Sequence, residues 1–224
     1  MDTSTVGCSA ALWRDDGIVS RDGAAMARGQ SEALVPMIKG VMSDAQAEFK
    51  DLDALAVTIG PGAFTGLRIG LAAARGMALA LSVPCLSVTT LEALAYSVDP
   101  SIRSGNTILT VLDSKRADIY TQAFGPDLSP LIQASALAME EIFEFLPEGP
   151  VVIAGDVADQ VAAELNIGGV KTTLAPGLGI PDAAIVAEIA ASRWNPEQEL
   201  SSPEPLYLRP PDAKIPKDGG RLRA

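Results

Sequence analysis

One stretch of this 224-residue chain has the residue types and spacing for a specific job: Gly60-Pro61-Gly62-Ala63-Phe64-Thr65-Gly66-Leu67-Arg68-Ile69-Gly70. It reads as a strand end, a tight turn of bare backbone and a helix start whose exposed N–H groups Thr65 is placed to cap. Such a turn can admit a ligand, or it can let a helix pack closely on its own sheet; spacing alone leaves both open. Two glycines inside the helix each cost about 1 kcal/mol relative to Ala, so Gly66 and Gly70 call for a packing reason. Two Asp-initiated turns are the other candidates for chemistry: Asp2-Thr3-Ser4-Thr5 and Asp113-Ser114-Lys115-Arg116. Each lies beside a strand, and the echo points to two related α/β lobes, although Asp is a favoured turn starter in any case.

Composition narrows the chemistry. The chain has no histidine, which removes the commonest general base and the commonest zinc ligand. Its two cysteines, Cys8 and Cys85, are too few for a disulfide framework and read as small buried hydrophobes. A formal net charge of −11 opposes unaided binding to a phosphate backbone. With 48% hydrophobic residues but only 4% aromatics, the core must be filled by Ala, Val, Leu and Ile. The longest apolar stretch is broken by Arg75 and glycines and is too short to span a bilayer, and no signal peptide is visible, so a cytoplasmic protein is expected.

The elements that must position these residues alternate between strand and helix. Strands are expected over 7–13 with a return from 18, then over 55–59, 84–88, 107–112, 119–124 and 151–154. Helices are expected over 31–46, 65–81, 91–96, 140–146, 158–165 and 183–194. Ser31 with Glu32 marks the first helix start. The polar segment 99–106 is the expected boundary between a lobe of residues 1–103 and a lobe of residues 104–224. The tail from Ser201 carries five prolines and is expected to be extended, with a disordered end.

Motifs in the same order extend beyond the glycine segment. They are Asp2-Thr3-Ser4-Thr5; Ser31-Glu32 with Leu34-Val35-Pro36-Met37-Ile38; Leu112-Asp113-Ser114-Lys115-Arg116 with Ile119-Tyr120; and Pro205-Leu206-Tyr207-Leu208-Arg209. Together they resemble the TsaB/YeaZ family over nearly the whole chain. The resemblance implies an α/β, actin/Hsp70-like ATPase (ASKHA) fold of two lobes, the second reduced. It implies a non-catalytic subunit of the complex that makes N6-threonylcarbamoyladenosine at position 37 of tRNA. The partners implied are the catalytic paralogue TsaD and the ATPase TsaE, with a homodimer when the subunit is alone, and with tRNA reached only through the complex. ATP and metal are then expected on partner subunits, with no catalytic, cofactor or metal residues in this chain.

Two departures from the family pattern stand out. Members carry several apolar residues before the Asp-Thr-Ser motif, where this chain has only Met1, so the first strand is expected to be almost absent. Gln30 stands where members often carry His. The segment 88–94 resembles the stretch in which TsaD carries a pair of metal-binding histidines; here Thr90 and Leu94 take those places and Glu92 alone could ligate. The turn Ala154-Gly155-Asp156-Val157-Ala158-Asp159 has Asp156 where TsaD has a second glycine, and a carboxylate repels a triphosphate. An active ATPase or kinase of the same fold, a metallopeptidase and a plain homodimeric scaffold are the competing readings.

In the family the first two helices face the partner. The resemblance therefore assigns the interface to Leu34, Met37, Ile38 and Val41 of the first helix and to Phe64, Leu67, Arg68, Leu71, Ala72 and Arg75 of the second. The spacing adds support: Arg68, Leu71, Ala72 and Arg75 fall on one helical face with an arginine at each end, while Gly66, Gly70 and Ala73 could lie on the sheet.

Overall fold

The chain opens with a hairpin, β1 (Gly7–Arg14) and β2 (Gly17–Ala25), antiparallel. Asp15 and Asp16 both take positive φ, as the turn of a right-twisted two-residue hairpin requires. Helix α1 (Gln30–Asp44) follows, then β3 (Leu55–Thr58), α2 (Phe64–Leu81), β4 (Cys85–Val88), α3 (Thr90–Tyr96) and a short α4 (Pro100–Arg103). Beyond it come β5 (Thr107–Asp113), β6 (Ile119–Phe124), β7 (Ser135–Leu137), α5 (Met139–Phe145), β8 (Val151–Gly155), α6 (Ala158–Ile167), β9 (Thr172–Leu174) and α7 (Ala183–Arg193). These positions come from a computed structural model that describes residues 1–177, 179–198 and 201–209.

The strands form three sheets among the described residues. β1–β2 and the parallel pair β3–β4 make two small ones, and the third is five-stranded in the order β7-β6-β5-β8-β9. In the large sheet β5 pairs antiparallel with β6 and parallel with β8. Met1 and Asp2 lie between the two small sheets. The Met1 amine donates to Ala56 O (2.9 Å), Thr58 N donates to Met1 O (3.3 Å), and Asp2 bridges antiparallel to Ser9. Two residues thus join the two small sheets.

Small aliphatic side chains fill the interior, as the low aromatic content requires. One cluster joins α1 (Leu34, Ile38, Val41) to β1 (Cys8, Ala10, Leu12), and another joins β5 and β8 to α6 through Leu109, Val111, Ile153 and Leu165. Two helices cross the middle of the molecule. From the first half, α3 packs on the large sheet, with Leu91 and Leu94 against Leu112. From the second half, α7 returns to the small sheets, with Val186 and Ile189 against Leu86 and Val88.

Several local expectations need correction. α1 begins at Gln30 behind Gly29 in the left-handed region (φ 96°), and the Ser31 hydroxyl donates to its neighbour Glu32 (2.8 Å) instead of capping. Thr65 lies inside α2, whose N-cap is Ala63 with no side-chain cap. The polar 99–106 segment contains α4, begun by Pro100 behind the capping carboxylate of Asp99 (2.8 Å to Ser101 N). Strands β7 and β9 carry no expected counterpart: at three residues each they are too short for a period to show. The described part of the tail, 201–209, has neither helix nor strand; its expected disordered end lies outside the described residues.

Candidate functional site

The glycine segment is the seat of the Asp2–Thr5 turn. A Cβ at Gly62 would stand 2.1 Å from Ser4 O, and one at Gly66 2.1 Å from Thr3 O, so neither position admits a side chain. At Gly70 it would meet Thr3 Oγ1 at 2.6 Å. The seat is latched by Ala63 N donating to Ser4 O (2.7 Å) and Thr3 Oγ1 donating to Gly66 O (2.7 Å). The glycines answer to a loop 60 residues away in the chain, not to the sheet alone.

Asp2 holds the turn from within. It is fully buried, and its Oδ1 accepts from Ser4 N (3.0 Å), Ser4 Oγ (2.6 Å) and Thr58 Oγ1 (2.6 Å). Burial raises its pKa, and the hydrogen bonds from Ser4 and Thr58 oppose that rise. Across the molecule, Asp113 makes the same short-range contact, Oδ1 accepting from Lys115 N (2.6 Å), and its other oxygen meets Lys115 Nζ at 2.7 Å. The Lys115 hydrogen bond holds the Asp113 carboxyl below its ordinary range. Asp156 turns back so that its Oδ1 accepts from Asp113 N (2.8 Å), and its own pKa is raised by burial. A cleft of about 800 Å³ separates the two turns, with Thr5 and Arg68 on one wall, Lys115 and Asp156 on the other and Tyr207 and Arg209 at the rim.

The residues expected at a partner surface do not form one surface. Leu34 (1% exposed), Ile38 and Val41 point into the α1–β1 core, and Met37 packs half-buried on the same cluster. Leu67 and Leu71 are 2% and 4% exposed; Leu71 packs with Ala74 on Leu55 and Val57 of β3. These five buried side chains are core, because α2 turns its Leu67–Leu71 edge inward together with Gly66 and Gly70. Ala73 leaves the glycine strip and joins Ile69 and Met77 against the α1 cluster. Phe64, Arg68, Ala72 and Arg75 do face outward. Sequence reading missed Leu79 (84% exposed), which continues that outer face along α2, and Val35 (48%), which is exposed on α1. The signal for Leu79 was the helical period itself: Arg68, Ala72, Arg75 and Leu79 recur at intervals of three and four.

The tail motif has a physical role as a strap over this face. Tyr207 stacks on Phe64 (centroids 5.9 Å apart), and the Arg68 guanidinium lies 3.8 Å over the same ring. Arg75 Nε donates to Pro203 O (2.9 Å), Leu206 N donates to Ile59 O (2.8 Å), and Arg209 pairs with Asp118 of the second half at 3.0 Å.

In the 88–94 segment, Thr90 and Leu94 are buried, and Leu94 is core beside Leu91 and Leu112. Glu92 sits in the first turn of α3, where its charge suits the helix dipole, and it also pairs with Arg193 of α7. Gln30 uses its amide to donate to Met26 O (3.0 Å) at the entry to α1.

These features define an α/β protein with mixed sheets, an Asp-initiated turn in each half and a cleft between them. The TsaD family, tRNA N6-adenosine threonylcarbamoyltransferase, matches residues 17–195. The Escherichia coli (strain K12) protein named tRNA threonylcarbamoyladenosine biosynthesis protein TsaB is 33% identical over 128 residues, 57% of this chain and 54% of that one. The Haemophilus influenzae protein of the same name is 25% identical over 93% of this chain and 92% of that one. The structure of YeaZ from Pseudomonas aeruginosa shares the fold with a TM-score of 0.76 at 23% identity, covering 92% of this chain and 97% of that one. The chain belongs to the TsaB/YeaZ family.

Proposed function

We propose that this chain is the non-catalytic subunit of the complex that makes N6-threonylcarbamoyladenosine at position 37 of ANN-decoding tRNAs, and that it binds and activates TsaD. Its fold on this reading is a reduced ASKHA fold, with lobes of residues 1–103 and 104–224 bridged by the crossing of α3 and α7. The observation that carries the partner role is the outer face of α1 and α2. There Phe64, Ala72 and Leu79 are exposed apolar groups on the helical face that carries Arg68 and Arg75, and Val35 is an exposed apolar group of α1. Leu79, at 84% exposure, is left uncovered among the described residues, and arginines beside apolar groups are favoured at interfaces. The same face serves the homodimer when the subunit is alone. TsaE and tRNA join through the complex, since a net charge of −11 opposes direct RNA binding.

The non-catalytic reading draws on the second-half turns. The fold family implies ATP between the lobes, held on glycine-rich turns. Here Ser114-Lys115-Arg116 has no glycine, and the Asp156 carboxylate already occupies the Asp113 amide across the gap. The residues present do not fit a triphosphate, so ATP and metal belong to partner subunits on this reading.

The test is a pull-down with TsaD from the same organism. Ala72→Glu with Leu79→Glu changes only exposed positions; it is expected to keep the fold and to lose self-association and TsaD capture. Unchanged TsaD capture by that folded variant would place the interface elsewhere. Leu71→Glu is unsuited to the purpose, because it buries a charge beside Val57 and is expected to unfold the chain.

A further inference from the structure

We propose that the strap Pro203–Arg209 is a latch: it couples the outer face of α2 to the Asp113–Arg116 turn across the cleft, and a partner that takes Arg68 and Arg75 releases it. The strap is held differently at its two ends. On the first half its hold is distributed. Pro203 is buried, and its carbonyl accepts from Arg75 through both Nε and Nη2. Leu206 N donates to Ile59 O just beyond β3, and a Cβ at Gly60 would stand 3.0 Å from Leu206 O, so the strap lies close on bare backbone there. Tyr207 stacks on Phe64, and its hydroxyl accepts from Arg68 (3.5 Å).

On the second half the hold is the ion pair of Arg209 with Asp118, whose side chains keep 32% and 20% exposure. That carboxylate also organises the turn. Asp118 Oδ1 accepts from Ser114 Oγ (2.6 Å), and the same hydroxyl accepts from Arg116 N (3.2 Å). A part-exposed ion pair holds by a factor of about 5 or less, so this end opens first. At the other end, the two arginines that pin the strap belong to the face proposed above for the partner. Both now meet neutral acceptors, a carbonyl and a phenol. A partner carboxylate pairs with a guanidinium bidentately, with charge on both sides of the bond, and is the stronger acceptor. Drawing Arg68 and Arg75 outward therefore loosens the strap along α2. The loss passes to Arg209, then to Asp118, and so to Ser114 and the Arg116 amide. The agent of release rests on the partner-face reading; the coupling within the chain does not.

Hydrogen exchange of the full chain, read over residues 113–118, tests the latch. Arg209→Gln cuts the weak end and is expected to speed exchange in the turn by up to about 5-fold. Arg75→Gln cuts the α2 end and is expected to change the turn in the same direction, an effect that a merely local role for Arg75 would not produce. Arg75→Lys keeps a donor for Pro203 O and is expected to restore most of the protection. Arg21→Gln breaks the exposed pair with Asp182 and should leave the turn as in the parent. A parent-like turn in either Arg209→Gln or Arg75→Gln, or equal loosening in Arg21→Gln, would overturn the coupling. Saturating TsaD is expected to loosen the turn of the parent chain as Arg75→Gln does. Capture of TsaD without that loosening overturns release by the partner. Failure of the parent chain to capture TsaD overturns the partner-face reading instead, and the variants alone then decide the coupling.

Discussion

The two Asp-initiated turns share a local design and live in opposite surroundings. In each, the Asp Oδ1 accepts the N–H two residues on, from Ser4 in one and Lys115 in the other. Asp2 has no exposure to solvent and is held by neutral hydroxyls, whereas the Asp113 side chain is 33% exposed and is held by a lysine. Their pKa values move in opposite directions for that reason: burial raises Asp2, and the cation lowers Asp113. A turn motif therefore fixes a short hydrogen bond, while the side chains brought over it from elsewhere decide whether it is a keystone or a surface feature.

The largest expected effect separates the two carboxylates by stability. Asp2→Ala removes the acceptor of three buried hydrogen bonds and strands the donors of Ser4 and Thr58, a loss of about 3–5 kcal/mol. Asp113→Ala breaks a part-exposed pair and should cost about 1 kcal/mol or less. Urea denaturation of both variants measures the gap; equal midpoints would erase the distinction.

Glycines under the first turn offer a second contrast, of intermediate size. Gly66→Ala drives a Cβ to within 2.1 Å of Thr3 O and should destabilise by roughly 1–3 kcal/mol. Gly76, in the same helix and facing open space, should gain about 0.5–1 kcal/mol on replacement by Ala. Opposite signs in thermal melts are the expected outcome, and a stabilised Gly66→Ala would mean the loop does not need its seat.

Acid–base linkage gives the smallest and most discriminating effect. With the folded pKa of Asp2 raised, the folded chain binds more protons than the unfolded one. Its contribution is full below the ordinary carboxylate pKa of about 3.9 and is lost as pH rises through the folded value. With the pKa of Asp113 lowered, its contribution is present above the ordinary value and is lost as pH falls through the folded one. Stability measured between roughly pH 3 and 8 should therefore lose its upward decline in Asp2→Asn and part of its acid decline in Asp113→Asn. Parallel pH profiles for the two variants would contradict the opposite shifts.

Much of the fold was legible because it is written in short-range signals. Periodicity located α1, and unbroken apolar runs located β3 and β8, strands covered on both faces. The candidate surface was legible only in part. Helical period put Arg68, Leu71, Ala72 and Arg75 on one arc, but Leu71 lies at the arc's inner edge. Only the height of β3 beneath the helix decided that Leu71 is core and Leu79 is surface.

By itself the sequence determined the alternation of strand and helix, the two Asp turns, the family and the tight turn at Gly60-Pro61-Gly62. Each of these depends on residues within a few positions of one another, or on their order. Tertiary structure decided what the turns are for. Which carboxylate loses its water and which glycine meets a carbonyl depend on contacts between segments 56 to 63 residues apart. Desolvation and close packing act through those contacts, and neither leaves a local trace in the chain.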